Sequence, residues 1–216
     1  MNLDPHAGQP VLRAGAPLRS ARLAVIMIHG RGAGAEDMLG LAGELGMPDM
    51  PEMDDVAFLA PQAADHAWYP NRFMAPIESN EPWLTSALKK IATLIGEAAA
   101  AGIGPERVAL AGFSQGACLV SEFAARHALR YRAVIALSGG VIGPAGTPRD
   151  YAGGFDGTPA LFGCSDIDPH IPLDRVRESA EIYRRMGAAV DERIYPRMGH
   201  TVNRDELDAA RALLLG

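Results

Sequence analysis

Six short strand-like runs, Leu23 to Ile28, Val56 to Ala60, Val108 to Ala111, Ala133 to Leu137, Ala160 to Phe162 and Val190 to Tyr195, are set among five stretches with helical spacing. Most of these runs are apolar along their whole length instead of alternating. Such strands are buried on both faces, which happens in a parallel sheet covered by helices on either side. The helical stretches are Glu36 to Leu45, Pro82 to Ala101, Gln115 to Arg130, Leu173 to Met186 and Arg204 to Leu215. Pro82 suits a first turn, and Gly102 with Gly104 suits the end of the same helix. Asp205 and Glu206 put negative charge at the positive end of the last helix. The pattern predicts an α/β fold with a mostly parallel central sheet, helices on both faces and no separate lid domain. With 216 residues, 48% of them hydrophobic, the chain has enough apolar mass for one core. A single domain over residues 1–216 is expected, with the Pro- and Gly-rich residues 1–20 as an extended N-terminal arm.

In such a sheet ligands bind beyond the carboxyl ends of the strands, so the residues that follow each strand carry the chemistry. After Val108 to Ala111 the chain reads Gly112-Phe113-Ser114-Gln115-Gly116-Ala117. A strand that turns directly into a helix strains its central residue and lifts that side chain into the cleft at the helix N-terminus. Glycine two positions to either side removes the Cβ atoms that would collide there. A serine hydroxyl attacks only when a base takes its proton, and the base needs an acid to orient it. Ser114, Asp168 and His200 occur in the order this topology requires, each just past a strand. The run Cys164-Ser165-Asp166-Ile167-Asp168-Pro169-His170-Ile171-Pro172 holds two acids, and spacing leaves Asp166 and Asp168 both open.

The first strand leads into His29-Gly30-Arg31-Gly32-Ala33-Gly34, whose glycines admit close approach of backbone to substrate. The backbone amides of Arg31 and Gln115 are the expected donors to a developing oxyanion. The same loop, through Ala35, also fits the dinucleotide pattern G-x-G-x-x-A, with Asp54 or Asp55 as the acid. Those acids precede the second strand, however, where a ribose-binding acid follows it, and a Rossmann-type reading leaves Ser114 and His200 without a role. A third reading is a hydrolase fold that binds without catalysis. His29 is expected to fix its own loop, Ser138 to shape the site floor, and His6, His66 and His127 to lie on the surface or in loops. The connection from Gln62 to Glu81 is long for a compact domain and rich in large apolar groups. Trp68, Tyr69, Phe73 and Met74, with Trp83 just beyond, either wall an acyl or aryl pocket or pin this loop to the body.

Charge and composition narrow the partners. A net charge of −6 and no basic run interleaved with aromatics argue against nucleic acid. No stretch is apolar for long enough to span a bilayer, and Met1 to Arg19 lacks the apolar core of a signal peptide, so the cytoplasm is the expected compartment. Cys118 and Cys164 suit buried free thiols. No His/Cys/Asp cluster has metal-ligand spacing, so neither metal nor cofactor is expected.

The segments His29-Gly30-Arg31-Gly32, Gly112 to Ala117, Asp166 to Pro172 and Gly199-His200 together resemble the carboxylesterase, acyl-protein thioesterase and lysophospholipase group of small α/β-hydrolases, over roughly Arg22 to Leu214. The resemblance implies Ser114 as nucleophile, His200 as base and, by aligning Asp168-Pro169 with the family's acid, Asp168 as the third member. It also implies hydrolysis of carboxylic esters, or thioesters, through an acyl-serine; without a lid domain the cleft is expected to be open, which suits a small-molecule ester with a small to medium acyl or aryl group. The chain departs from the family in having Arg31 where leucine is common and Cys164-Ser165 where His-Gly is common.

Overall fold

The computed structural model describes residues 4–46 and 51–216. Its strands are β1 (Val11–Gly15), β2 (Leu23–Ile28), β3 (Val56–Pro61), β4 (Val108–Phe113), β5 (Ala133–Leu137), β6 (Pro159–Ser165) and β7 (Ala189–Tyr195). They form one sheet in the order β1-β3-β2-β4-β5-β6-β7. Every pairing is parallel except that of β1 with β3. The helices are α1 (Ala35–Glu44), α2 (Trp83–Ala100), α3 (Gln115–Arg126), α4 (Leu173–Arg185) and α5 (Arg204–Leu215).

Alternation of side chains along each strand divides the apolar residues between two cores. Ala24, Ile26, Ile28, Leu110, Ala136 and Phe162 face one layer, where Leu84 and Ile91 of α2, Leu119 and Phe123 of α3, and Val176 and Tyr183 of α4 meet them. Val25, Met27, Phe58, Ala109, Ile135 and Leu161 face the other, against Met38 and Ala42 of α1 and Leu207, Ala210 and Leu214 of α5. Both faces are covered, so β2, β3 and β5 are buried at every position.

Two expectations change. Residues 11–15 of the presumed arm form an edge strand, β1, pairing antiparallel with β3 from Val11 opposite Pro61 to Gly15 opposite Ala57. Its residues are only half-buried or exposed, so it lacks the continuous apolar run that marks the inner strands. The third helix stops at Arg126, four residues short of Arg130, and Ala128 instead makes a bridge to Gly153. Pro82 caps α2 from just outside its first turn. At the other end Gly102 takes a φ of 86° and Ile103 N donates to Ala98 O at 2.9 Å, which turns the chain out of the helix. Among the described residues no helix is long and apolar enough to cross a membrane.

Helix α5 starts with a capping box: Asn203 Oδ1 accepts from Glu206 N at 3.0 Å, and Glu206 Oε2 accepts from Asn203 N at 2.9 Å. Glu206 is fully buried against β6, where a Cβ on Gly163 would lie 2.2 Å from Glu206 Oε1. Burial pushes the Glu206 carboxyl up to about 7, against the Asn203 amide, which favours its ionised form. Between its ordinary value and about 7 the folded chain therefore holds a proton that the unfolded chain has released. This group's contribution to stability falls as pH rises through that window. The difference in Tm between Glu206→Gln and the unmodified chain should accordingly move in favour of the variant from pH about 5 to about 7 and then level off. Parallel Tm curves across that range would contradict the assignment.

Candidate active site

Ser114 sits between β4 and α3 with φ 55° and ψ −119°, a left-handed-side conformation that costs a non-glycine residue on the order of 1–3 kcal/mol. The surrounding bonds hold it there: Ser114 N donates to Leu137 O at 3.0 Å and Ser114 O accepts from Cys118 N at 3.0 Å. The two flanking glycines are required by close approach. A Cβ on Gly112 would stand 2.5 Å from the Gly116 carbonyl carbon, and one on Gly116 would stand 2.0 Å from Ile28 O. The first turn of α3 thus rests directly on the end of β2.

The serine hydroxyl meets an imidazole from the far end of the chain. His200 Nε2 lies 2.8 Å from Ser114 Oγ, and His200 Nδ1 lies 2.7 Å from Asp168 Oδ2. A carboxylate only accepts, so Nδ1 carries a proton and Nε2 is left with the lone pair that faces the hydroxyl. The Asp168 side chain has 0% exposure. Burial pushes this carboxyl up, but the bonds from His200 and from the amides of His170 (2.9 Å) and Ile171 (3.0 Å) outweigh it and hold the group below its ordinary range. Asp166, the other acid, points elsewhere and accepts from Arg197 N at 2.7 Å, which ties the 195–200 loop to the end of β6. Ser165 adds to that tie by donating to Met198 O. The His200 ring also packs against Phe113 at 4.8 Å and His170 at 4.8 Å.

The loop after β2 is fixed from below. His29 is fully buried, its Nε2 accepts from Ala63 N at 3.0 Å, and its Nδ1 therefore donates to Gly30 O at 2.8 Å. Burial pushes this imidazole down, in keeping with a neutral ring that holds the loop. Arg31 and Gln115 both line the cavity beside Ser114, and among the described residues neither backbone amide donates to an acceptor. Their side chains hold the neighbouring loop. Arg31 donates to the carbonyls of Tyr69 (2.7 Å), Pro70 (2.9 Å) and Asn71 (2.7 Å). Gln115 accepts from Trp68 N and donates to Tyr69 O, each at 2.9 Å.

The aromatic loop divides between the two expected roles. Tyr69 and Phe73 line the cavity, which has a volume of about 260 Å³. Trp68 does not: it is fully buried, donates to His29 O at 2.9 Å, and packs between His29 at 5.0 Å and His6 at 5.2 Å. Trp83 meets the edge of His6 at 5.4 Å and likewise stands off the cavity, while Met74 lines an adjoining cavity of about 420 Å³. His6, expected at the surface, is fully buried, with Nδ1 accepting from Ala64 N at 3.1 Å and Nε2 donating to Trp68 O at 3.0 Å. Its indole neighbours are assembled only by the fold, so no local pattern marks it. Ser138, expected to shape the site floor, lies buried just past the end of β5 with a φ of 53° and outside the cavity lining. Arg72, Cys118, His170 and Ile171 line the cavity without having been singled out, although the last two flank Asp168 in sequence. Asp55, the acid of the dinucleotide pattern, sits at the amino end of β3 in an ion pair with Arg22 (2.7 Å), away from the Gly30–Gly34 turn.

Because Gly116 leaves no room for a side chain, Gly116→Ala should destabilise the fold by about 3 kcal/mol or more, measured by denaturant unfolding. A variant as stable as the parent would show that the contact with Ile28 is not as close as described.

The sequence profile of the phospholipase/carboxylesterase family matches residues 14–214. A solved phospholipase/carboxylesterase from Dyadobacter fermentans superposes with a TM-score of 0.90 at 39% identity, covering 97% of each chain. The acyl-protein thioesterase 1 of Saccharomyces cerevisiae is 25% identical over 91% of this chain and 93% of its own length. That of Gibberella zeae is 32% identical over 56% of this chain, an alignment spanning only 52% of the relative. The chain belongs to the phospholipase/carboxylesterase family, whose chemistry is the hydrolysis of esters and thioesters.

Proposed function

We propose that Ser114, His200 and Asp168 form the catalytic triad of a carboxylesterase-type serine hydrolase. The observation that carries the reading is the imidazole of His200, bonded on one side to a hydroxyl and on the other to a buried carboxylate. His200 Nε2 takes the proton of Ser114 as Oγ attacks the ester carbonyl, and Asp168 holds the ring in the required tautomer while stabilising its positive charge. The amides of Arg31 and Gln115 receive the oxyanion. The imidazolium then gives its proton to the departing alcohol or thiol, leaving an acyl-serine. A water molecule deprotonated by the same imidazole adds to the acyl carbon, and collapse of that intermediate releases the acid and returns the proton to Ser114. This sequence uses no cofactor. A cavity of about 260 Å³ has room for roughly nine water-sized groups, which favours a small-molecule ester with a small to medium acyl or aryl group.

On para-nitrophenyl esters, Ser114→Ala should lower kcat by roughly 10⁶ and abolish labelling by a fluorophosphonate probe. Asp168→Asn keeps the shape but favours the wrong tautomer, so its kcat should fall by about 10⁴ with labelling slowed in parallel. Undiminished turnover or labelling in Ser114→Ala would overturn the proposal. A matching series of thioesters distinguishes the two leaving-group classes.

A further inference from the structure

We infer that the substrate of this site carries a carboxylate of its own, received by Arg31 and Arg72 at the mouth of the cleft; this rests on the serine-hydrolase reading above. Both arginines line the cavity that contains Ser114 and His200, and the lining includes no aspartate or glutamate. Asp168 lies behind His200 with no exposed surface and is already engaged. The cleft is therefore cationic in a chain whose net charge is −6.

The two guanidinium groups differ from their neighbour Arg175. That residue lies 5.8 Å from the Phe73 ring centre, but it is buried and paired with Glu178 at 2.8 Å. Arg31 is held by three carbonyl oxygens, which fix its position without neutralising its charge. Those bonds use both Nη2–H groups and one Nη1–H, so Nε–H and the other Nη1–H remain as separate single donors. Arg72 is exposed and has no ion-pair or side-chain hydrogen-bond partner among the described residues. A fixed charge with single donors left, beside the unengaged planar fork of Arg72, suits a carboxylate, which Arg72 can bind through paired charge-assisted bonds and Arg31 through a single one. Arg72 is also shared with the adjoining cavity of about 420 Å³, along with Phe73 and His170. The charge thus stands where the cleft continues away from the nucleophile, on the path of whatever extends beyond the scissile bond.

The test compares two matched pairs of esters: para-nitrophenyl hexanoate with mono-para-nitrophenyl adipate, which places the carboxylate on the acyl side, and phenyl hexanoate with para-carboxyphenyl hexanoate, which places it on the leaving group. Each rate is divided by that ester's own hydroxide-catalysed rate. In at least one pair the unmodified enzyme should favour the anionic member by about tenfold or more in kcat/KM at low salt. Raising sodium chloride to about 0.5 M should erode that preference, because partly exposed charges are screened. Arg72→Gln should bring the ratio towards parity. Turnover of the neutral esters with no preference for the anionic member of either pair, or a preference indifferent to both salt and Arg72→Gln, would overturn the inference while leaving the hydrolase reading intact. Failure to cleave any of the four, with no fluorophosphonate labelling, would remove both.

Discussion

The site depends on one imidazole held from both sides. His200 has no regular element around it, since it lies in the connection between β7 and α5, so its position is set by what the loop is tied to. Ser165 reaches Met198, Asp166 reaches Arg197, and Asp168 holds the ring itself. Ser165, Asp166 and Asp168, at and just past the end of β6, therefore do one mechanical job, joining the Asp168 loop to the His200 loop. At the far end, the Asn203–Glu206 capping box docks α5 against Gly163 of the same strand. His200 and Asp168 are thus both anchored to β6, which limits how far they can drift apart.

Ser114, the proposed nucleophile, is held by a different device. Its backbone conformation is unfavourable in isolation and persists because α3 packs directly onto the end of β2 through Gly116, a contact that admits no side chain. The loop that follows β2 is in turn bound to the aromatic loop by His29 and Arg31, and the start of α3 is bound to it by Gln115. Arg31 and Gln115, two residues that line the cavity, thus use their side chains to hold Tyr69, a wall of that cavity. The shape of the pocket and the position of the proposed oxyanion donors are coupled through these bonds, so a change in Arg31 is expected to act on both. The tie also explains how an arginine fits where the family commonly has leucine: the side chain leaves the line of attack and spends three donors on the loop.

Much of this was legible in the sequence because the chemistry needs local patterns. The inner strands are buried on both faces and so show apolar runs, the elbow needs glycine at fixed offsets from Ser114, and the acid and base must follow in a set order. The structure brings Ser114, Asp168 and His200 together and gives Asp166 a separate bond, a choice that spacing alone left open. The edge strand β1 was not legible, since a half-buried strand against one neighbour needs no continuous apolar run. His6 was misplaced, and the choice between the two roles open to Trp68 and Trp83 was not legible, for a related reason. An aromatic residue reads alike in sequence whether it faces a ligand or another ring, and only the fold shows that these three pack on one another. Arg72 carried no signal at all, because a lone arginine in a loop has meaning only beside the charges that surround it.

The central claim is that the acyl group passes through the hydroxyl of residue 114. Rapid acid quenching during turnover of para-nitrophenyl acetate, followed by peptide mass mapping, reads this directly. The account predicts an acetyl group on the peptide containing Ser114 and on no other, at a level that builds up before steady state. Hydrolysis proceeding with Ser114 unmodified, or with the acetyl group on another side chain, would contradict it.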